Sequence, residues 1–104
     1  MKKISIDKAV SENWGGVESL NYKVDKNNSI VYAKLKGEHG EVKTEKRQRM
    51  YYILSGIGKF TVGTKVIDAK KGDVIVIPPN SKYNYKSTNT STLVVILFME
   101  LWDN

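Results

Sequence analysis

The chain has 104 residues, 40% of them hydrophobic, with 17 Lys and Arg against 11 Asp and Glu, one His and no Cys. That length supports one core rather than two, and the absence of Cys excludes disulfides, thiolate metal ligands and thiol nucleophiles. The formal charge of +6 is spread along the chain, and Arg47 and Arg49 are its two guanidinium forks, so the clustered basic patch that nucleic-acid binding needs is missing and no nucleic-acid partner is expected.

In chain order, MKKISIDKAV opens with Lys2 and Lys3 but has no apolar run behind them, which reads as no signal peptide. No later run approaches the ~20 apolar residues of a membrane span. The expectation is one cytoplasmic domain over residues 1–104 without a membrane partner. Lys8 to Asn13 allows one helical turn at most. Leu20, Tyr22 and Val24 alternate with polar residues, and Asp25-Lys26-Asn27-Asn28 reads as a hairpin turn.

Ser29 to Lys36 is the next strand, with Val31, Ala33 and Leu35 on one face, and Gly37-Glu38-His39-Gly40 is a loop. Glu41 to Glu45 is a polar strand and Arg49 to Leu54 an apolar one. Ser55-Gly56-Ile57-Gly58 makes a tight turn, since Gly takes positive φ. Lys59 to Val62 follows, with turns starting at Gly63-Thr64 and at Lys70-Lys71-Gly72-Asp73. The buried run Val74 to Ile77 ends at Pro78-Pro79, because proline cannot donate to a ladder. Ser81 to Lys86 is short and polar-aromatic, and Leu93 to Trp102 is the longest strand. Many short strands at even spacing predict an all-β closed barrel or sandwich.

The stretch Tyr51 to Tyr83, with Gly at 56, 58, 63 and 72 and Pro78-Pro79-Asn80 at its end, resembles the cupin superfamily over about residues 31–95. The family's first motif is G-x5-H-x-H-x3,4-E-x6-G, and YYILSGIGKFTV matches its second half with Gly56 as the last Gly. Its second motif is G-x5-P-x-G-x2-H-x3-N, and Gly72, the five residues Asp73 to Ile77, and Pro78 match in register. The resemblance implies a double-stranded β-helix, the jelly-roll barrel of cupins, a fold that hosts many functions.

The departures bear on chemistry. Counting back from Gly56, the family's Glu falls on Arg49, and its two His fall on Lys43 and Glu45 in the shorter spacing or on Val42 and Thr44 in the longer. In the second motif the Gly falls on Asn80, the His on Tyr83 and the Asn on Ser87. A centre of three His and one carboxylate would hold a divalent transition metal; here its positions carry other side chains, and cations at two of them repel a metal. No metal and no cofactor are expected.

Under the barrel alignment, period-2 alternation places Lys43, Glu45, Arg49 and Tyr51 on one inward face, with Tyr83 and Tyr85 joining from the facing strand. Such a pocket suits a small polar ligand, a sugar, nucleotide-sugar or carboxylic acid. Arg49 would clamp a carboxylate or phosphate, and Tyr83 would donate a hydrogen bond or stack. The competing reading is a buried Lys43–Glu45–Arg49 ion-pair network that plugs the old metal site. His39, in its loop and without a recognisable partner, reads as a mouth-loop residue rather than a general base.

Leu93 to Trp102 is apolar on both faces, so one face lines the barrel and the other meets a partner chain, and a homodimer is expected. The tail Leu101-Trp102-Asp103 resembles that of some small single-domain cupins. Two function classes remain open: a metal-independent barrel that binds a small polar metabolite, possibly a carbohydrate, and a metal-free sugar or nucleotide-sugar isomerase or epimerase with Lys43, Glu45 or Tyr83 as acid or base. A metal-dependent oxygenase or hydrolase fails for want of ligands.

Overall fold

The computed structural model describes residues 1–100; the extension of the last strand to Trp102 and the tail Leu101-Trp102-Asp103 lie outside the described residues. A 3-10 turn at Ile6–Lys8 leads into β1 (Val10–Trp14), β2 (Val17–Lys23), β3 (Asn28–Leu35), β4 (Val42–Lys43), β5 (Arg49–Ser55), β6 (Ile57–Val62), β7 (Lys65–Lys70), β8 (Val74–Ile77), β9 (Lys82–Ser87) and β10 (Leu93–Glu100). A six-stranded sheet has the order β1-β2-β3-β10-β5-β8, and a four-stranded sheet the order β4-β9-β6-β7. The strand pairs are antiparallel. This is an all-β jelly roll, the fold that the resemblance implies, with its two sheets stacked as a sandwich rather than joined into a closed ladder.

Alternation decides what the sandwich buries. Ala33 and Leu35 of β3, Tyr51 and Ile53 of β5, and Leu93 and Val95 of β10 point inward from the large sheet. Phe60, Ala69, Tyr83 and Tyr85 meet them from the small sheet. Each fully buried Leu, Ile or Phe contributes about 1.5–3 kcal/mol of hydrophobic stabilisation, so this filling holds the sheets together.

Two strands depart from the sequence reading. Lys8 to Asn13 holds no continuous helical turn; the 3-10 turn stops at Lys8 and β1 pairs with β2 from Val10 onward. Lys65–Lys70, read as a stretch between turns, is β7, paired with β6 along its full length. Both strands are mostly exposed, so neither carries an alternating apolar pattern.

The corner after β8 shows how the family's second motif survives substitution. Asn80 stands where cupins have Gly and takes a positive φ of 54°, a conformation that Asn tolerates better than most residues. Its N–H donates to the Glu45 carbonyl at 2.8 Å. Beside it the buried Thr44 donates through Oγ1 to the Pro78 carbonyl at 2.7 Å and accepts from the Ser81 N–H at 2.9 Å. These bonds fix one end of the sandwich and aim β9 across it.

Candidate functional site

A cavity of about 160 Å³ opens between the sheets, lined by inward side chains of β2, β3, β5, β9 and β10 and covered at its mouth by Trp14 of β1 and by His39. Its polar groups include Arg49, Tyr51, Tyr83 and Tyr85 in the walls, Ser19 and Asn21 on β2, His39 in the loop after β3, and Glu12 on β1.

Arg49 and Tyr51 sit two residues apart in β5, and Tyr83 and Tyr85 two apart in β9, so each pair shares a face. Arg49 Nη1 donates to Tyr83 Oη at 3.0 Å, and Tyr83 Oη shares a short hydrogen bond with Tyr51 Oη. A guanidinium has five donors, and one contact to Tyr83 leaves donors for a ligand oxygen. Burial raises Tyr51 well above the usual phenol value, with Tyr85 and Tyr83 adding to it and Arg49 opposing. Burial also raises Tyr85, helped by Tyr83 and opposed by a hydrogen bond from Tyr51 and by Arg49. Both therefore stay protonated through the working pH range and serve as hydrogen-bond donors rather than bases.

His39 is held by a loop laid along β9. Its N–H donates to the Tyr85 carbonyl at 2.8 Å, the Ser87 N–H donates to the Gly37 carbonyl at 2.9 Å, and the Gly37 N–H donates to Ser87 Oγ at 2.8 Å. Gly40 N–H donates to Asn84 Oδ1 at 2.9 Å, and Trp14 Nε1 reaches across from β1 to the His39 carbonyl at 3.2 Å. The imidazole stacks on Tyr85 with centroids 4.6 Å apart, Tyr85 stacks on Phe60 at 4.7 Å, and Trp14 closes edge-on at 5.3 Å. An aromatic stack thus runs from the core to the mouth and fixes the ring.

The ring's chemistry follows from its contacts. Nδ1 lies 3.0 Å from the Gly40 carbonyl, an acceptor only, so Nδ1 carries the proton and Nε2 keeps a lone pair. Burial lowers His39 below its ordinary value; the Gly40 hydrogen bond opposes that and Arg49 adds to it. The neutral imidazole is therefore the resting form at pH 7. A folded pKa below the unfolded one means that acid favours the unfolded chain. Stability is then fully present above the ordinary imidazole value of 6.5 and falls as pH drops from there through the folded value. Melting temperatures followed from pH 8 to 5 should decline in that window, and the His39→Gln variant should lose that part of the decline.

Not all of the sequence candidates meet here. Arg49, Tyr51, Tyr83 and Tyr85 line the cavity. Lys43 and Glu45 do not: both are exposed, and Lys43 pairs in register with Lys82 on the outer face. Counting parity from residue 43 to 51 assumes an unbroken strand, but β4 ends at Lys43 and β5 begins at Arg49. The bend between them resets the phase, so Val42 and Thr44 of the longer spacing face inward. Lys43, Glu45 and Arg49 form no ion pair with one another; the plug is absent and Arg49 bonds a tyrosine instead.

His39 and Trp14 were outside the expected site. The available signal for His39 was its position as the one His of the chain, in a Gly-flanked loop at a strand end. The inward positions that correspond to cupin metal ligands hold Val42, Thr44, Arg49 and Tyr83, and none offers an imidazole or carboxylate. Among the described residues no three His, Asp or Glu side chains converge. This donor set does not fit a divalent transition metal. No helix among the described residues is long and apolar enough to cross a membrane.

The family model for the cupin domain matches residues 33–99. No curated protein gives a sequence match. Among solved structures, Streptomyces Pac13, described as a unique nucleoside dehydratase, superposes with a TM-score of 0.82 at 23% identity, over 99% of this chain and 85% of that one. Pac13 variants with uridine, two carrying Tyr→Phe and one His→Gln, superpose with TM-scores of 0.81–0.82 at 22% identity, over 99–100% of this chain and 84–86% of theirs. A predicted oxalate decarboxylase of Thermotoga maritima gives 0.76 at 23% identity, over 96% of this chain and 100% of that one. KdgF from Halomonas sp. gives 0.75 at 16% identity, over 93% and 91%. At these identities the superpositions establish the fold.

Proposed function

The chain belongs to the cupin family, and from that premise we propose that its cavity binds a small hydroxylated metabolite, a nucleoside or sugar derivative, and moves a proton on it without a metal. The observation that carries this reading is the neutral His39, with Nε2 unblocked, at the mouth of a cavity whose wall presents the Arg49–Tyr83–Tyr51 hydrogen-bond chain. Imidazole poised near neutrality is an effective general base, and phenols backed by a cation stabilise a developing oxyanion.

The chemistry suits a substrate whose C–H is acidified by a neighbouring carbonyl. His39 Nε2 takes the proton from carbon, and the electron pair moves onto the carbonyl oxygen, where tyrosine and Arg49 donors stabilise it. If a hydroxyl sits on the next carbon, the enolate re-forms the carbonyl as the C–O bond breaks, and the imidazolium returns its proton to the departing hydroxide as water. If none does, returning the proton to carbon gives epimerisation or isomerisation. The first outcome is favoured by the fold shared with a nucleoside dehydratase, and by uridine in variants changed at His and Tyr, the residue types that build this cavity. A cavity of about 160 Å³ lies below the ~300 Å³ at which drug-sized sites begin. It therefore takes one small ring, with the remainder of a nucleoside resting at the mouth beside Trp14.

The test is turnover of hydroxylated carbonyl nucleosides and sugars, read by mass as loss of water, before and after exhaustive chelation. Turnover that survives chelation supports the proposal; turnover that disappears with EDTA and returns with a divalent cation refutes it. Arg49→Ala should weaken binding of uridine or an active sugar, measured by calorimetry, by about 10-fold or more, because a hydrogen bond to a charged group is worth about 1.5–3 kcal/mol. Unchanged affinity with a lowered melting temperature would make Arg49 a purely structural partner of Tyr83.

A further inference from the structure

The cavity has a second polar wall, which the proton chemistry does not use. β2 contributes Ser19 and Asn21 to it. Ser29 Oγ donates to Asn21 Oδ1 at 2.8 Å, and Ser29 is only 1% exposed. That sealed hydroxyl fixes the amide: Oδ1 turns to Ser29 and Nδ2 turns away from it. Nδ2 makes no hydrogen bond with the described residues. No buried side-chain N or O among them lacks a partner, so Nδ2 opens into the cavity that Asn21 lines. An amide nitrogen is a donor only, and here it faces the ligand space.

Strand register sets this amide across the cavity from the tyrosines. Asn21 pairs with Val31, Val31 with Leu97, and Leu97 with Tyr51. Three strand spacings of ~4.8 Å put about 14 Å between the two backbones. The floor between them is Val31 and Leu97, with Ala33 and Val95 in the next inward row. A sugar laid on this floor would leave hydroxyls unpaired, which is costly. A flat unsaturated ring instead buries its faces there and keeps its polar atoms at its edges. At the rim, Glu12 and Trp14 alternate on the exposed strand β1. A carboxylate there accepts from the hydroxyls that the floor cannot satisfy.

We propose that Asn21 is the specificity-determining residue of this cavity, its Nδ2 donating to a keto oxygen on the edge of a single-ring base while the attached sugar sits at the rim. The proposal rests on the reading of this cavity as a ligand site and narrows the ligand to a nucleoside of the uracil type. An amino group at the same ring position is itself a donor and meets Nδ2 donor to donor. A site with a polar group aimed at its ligand rejects analogues that leave that group unpaired. Ser29 is the positioning residue, because its hydroxyl decides which end of the amide faces the ring.

Calorimetry with uridine and cytidine, which differ along one ring edge as keto against amino, tests the proposal. The wild type should bind uridine about 10-fold or more tightly than cytidine, as expected for one mismatched hydrogen bond. Asn21→Asp keeps the shape and the acceptor for Ser29 but replaces the donor with an acceptor, so its preference should reverse. Ser29→Ala frees the amide to turn either end inward, so its preference should shrink toward none. Equal affinities in the wild type, or a ratio that neither variant moves, would overturn the assignment of Asn21 and leave the cavity reading intact. A wild type that binds neither nucleoside would overturn it as well, and turnover of a sugar by that protein separates this failure from failure of the cavity reading. Should Asn21→Asp fail to fold, Ser29→Ala decides alone.

Discussion

Replacing His39 with Gln is expected to lower turnover by at least ~100-fold, the lower end of what a positioned general base supplies, while ligand affinity changes little. Gln keeps a polar side chain of similar reach at the cavity mouth but has no lone pair that takes a proton near neutral pH. The loop itself should hold, because it is tied down through backbone groups: the His39 N–H to Tyr85, Gly37 to Ser87, and Gly40 to Asn84. The wild-type rate should also fall as pH drops through the value of the folded imidazole, which burial holds below the ordinary 6.5, since only the neutral ring accepts a proton. A His39→Gln protein that keeps more than about half of the wild-type rate, against the expected loss, would remove His39 from the chemistry and leave Tyr83 and Tyr51 to explain it.

Gly56→Ala is expected to be strongly destabilising, because a methyl group there meets both a positive φ and a backbone clash. Gly56 turns the chain from β5 into β6 at a φ of +84°, and a Cβ there would lie 2.1 Å from the Thr92 carbonyl oxygen and 2.9 Å from Ser91 Oγ. Ser91 Oγ already accepts the Ile57 N–H at 3.1 Å, so the Ser91–Thr92 segment that feeds β10 has nowhere to retreat. Positive φ costs a non-Gly residue about 1–3 kcal/mol and overpacking a further 1–3. A loss of about 3 kcal/mol or more corresponds to a fall in Tm of roughly 12 °C or more in a domain of this size. Gly63→Ala is the control. Its φ is +60° but nothing lies within 4 Å of the added Cβ, so it should lose only the conformational part. Thermal denaturation of the two variants separates the terms, and equal small losses would contradict the close approach at Gly56.

The same Gly56 made the fold legible in the sequence, together with Gly72 and the Pro78-Pro79 stop. Strands whose inner faces are buried, such as β3, β5, β8 and β10, show period-2 alternation or an apolar run because the core selects those positions. β1 and β7 are largely exposed, so no core constraint writes a pattern into them, and tertiary pairing alone makes them strands.

The site divides along the same line. Tyr51 and Arg49 share one unbroken strand, as do Tyr83 and Tyr85, and parity placed all four at the cavity. Lys43 and Glu45 were misplaced because parity does not survive the break between β4 and β5. His39 owes its position to a loop bonded along β9 and to Trp14, which is 25 residues distant in sequence. Neither relation has a period, so local pattern could not show it. The expected ion-pair plug failed for the same reason as the Lys43 placement, since it required three charges on one face where the fold puts one.

The measurement that bears most directly on the account is the NMR titration of the His39 imidazole. With one His in the chain, its Hε1 resonance stands without an assignment problem. The account predicts a midpoint below 6.5 and a resonance that moves when uridine or an active sugar is added, because the ring is desolvated and faces the ligand cavity. A midpoint at or above 6.5, with a resonance indifferent to every such compound, would contradict it: His39 would then be a solvated loop residue and not the base of a binding site.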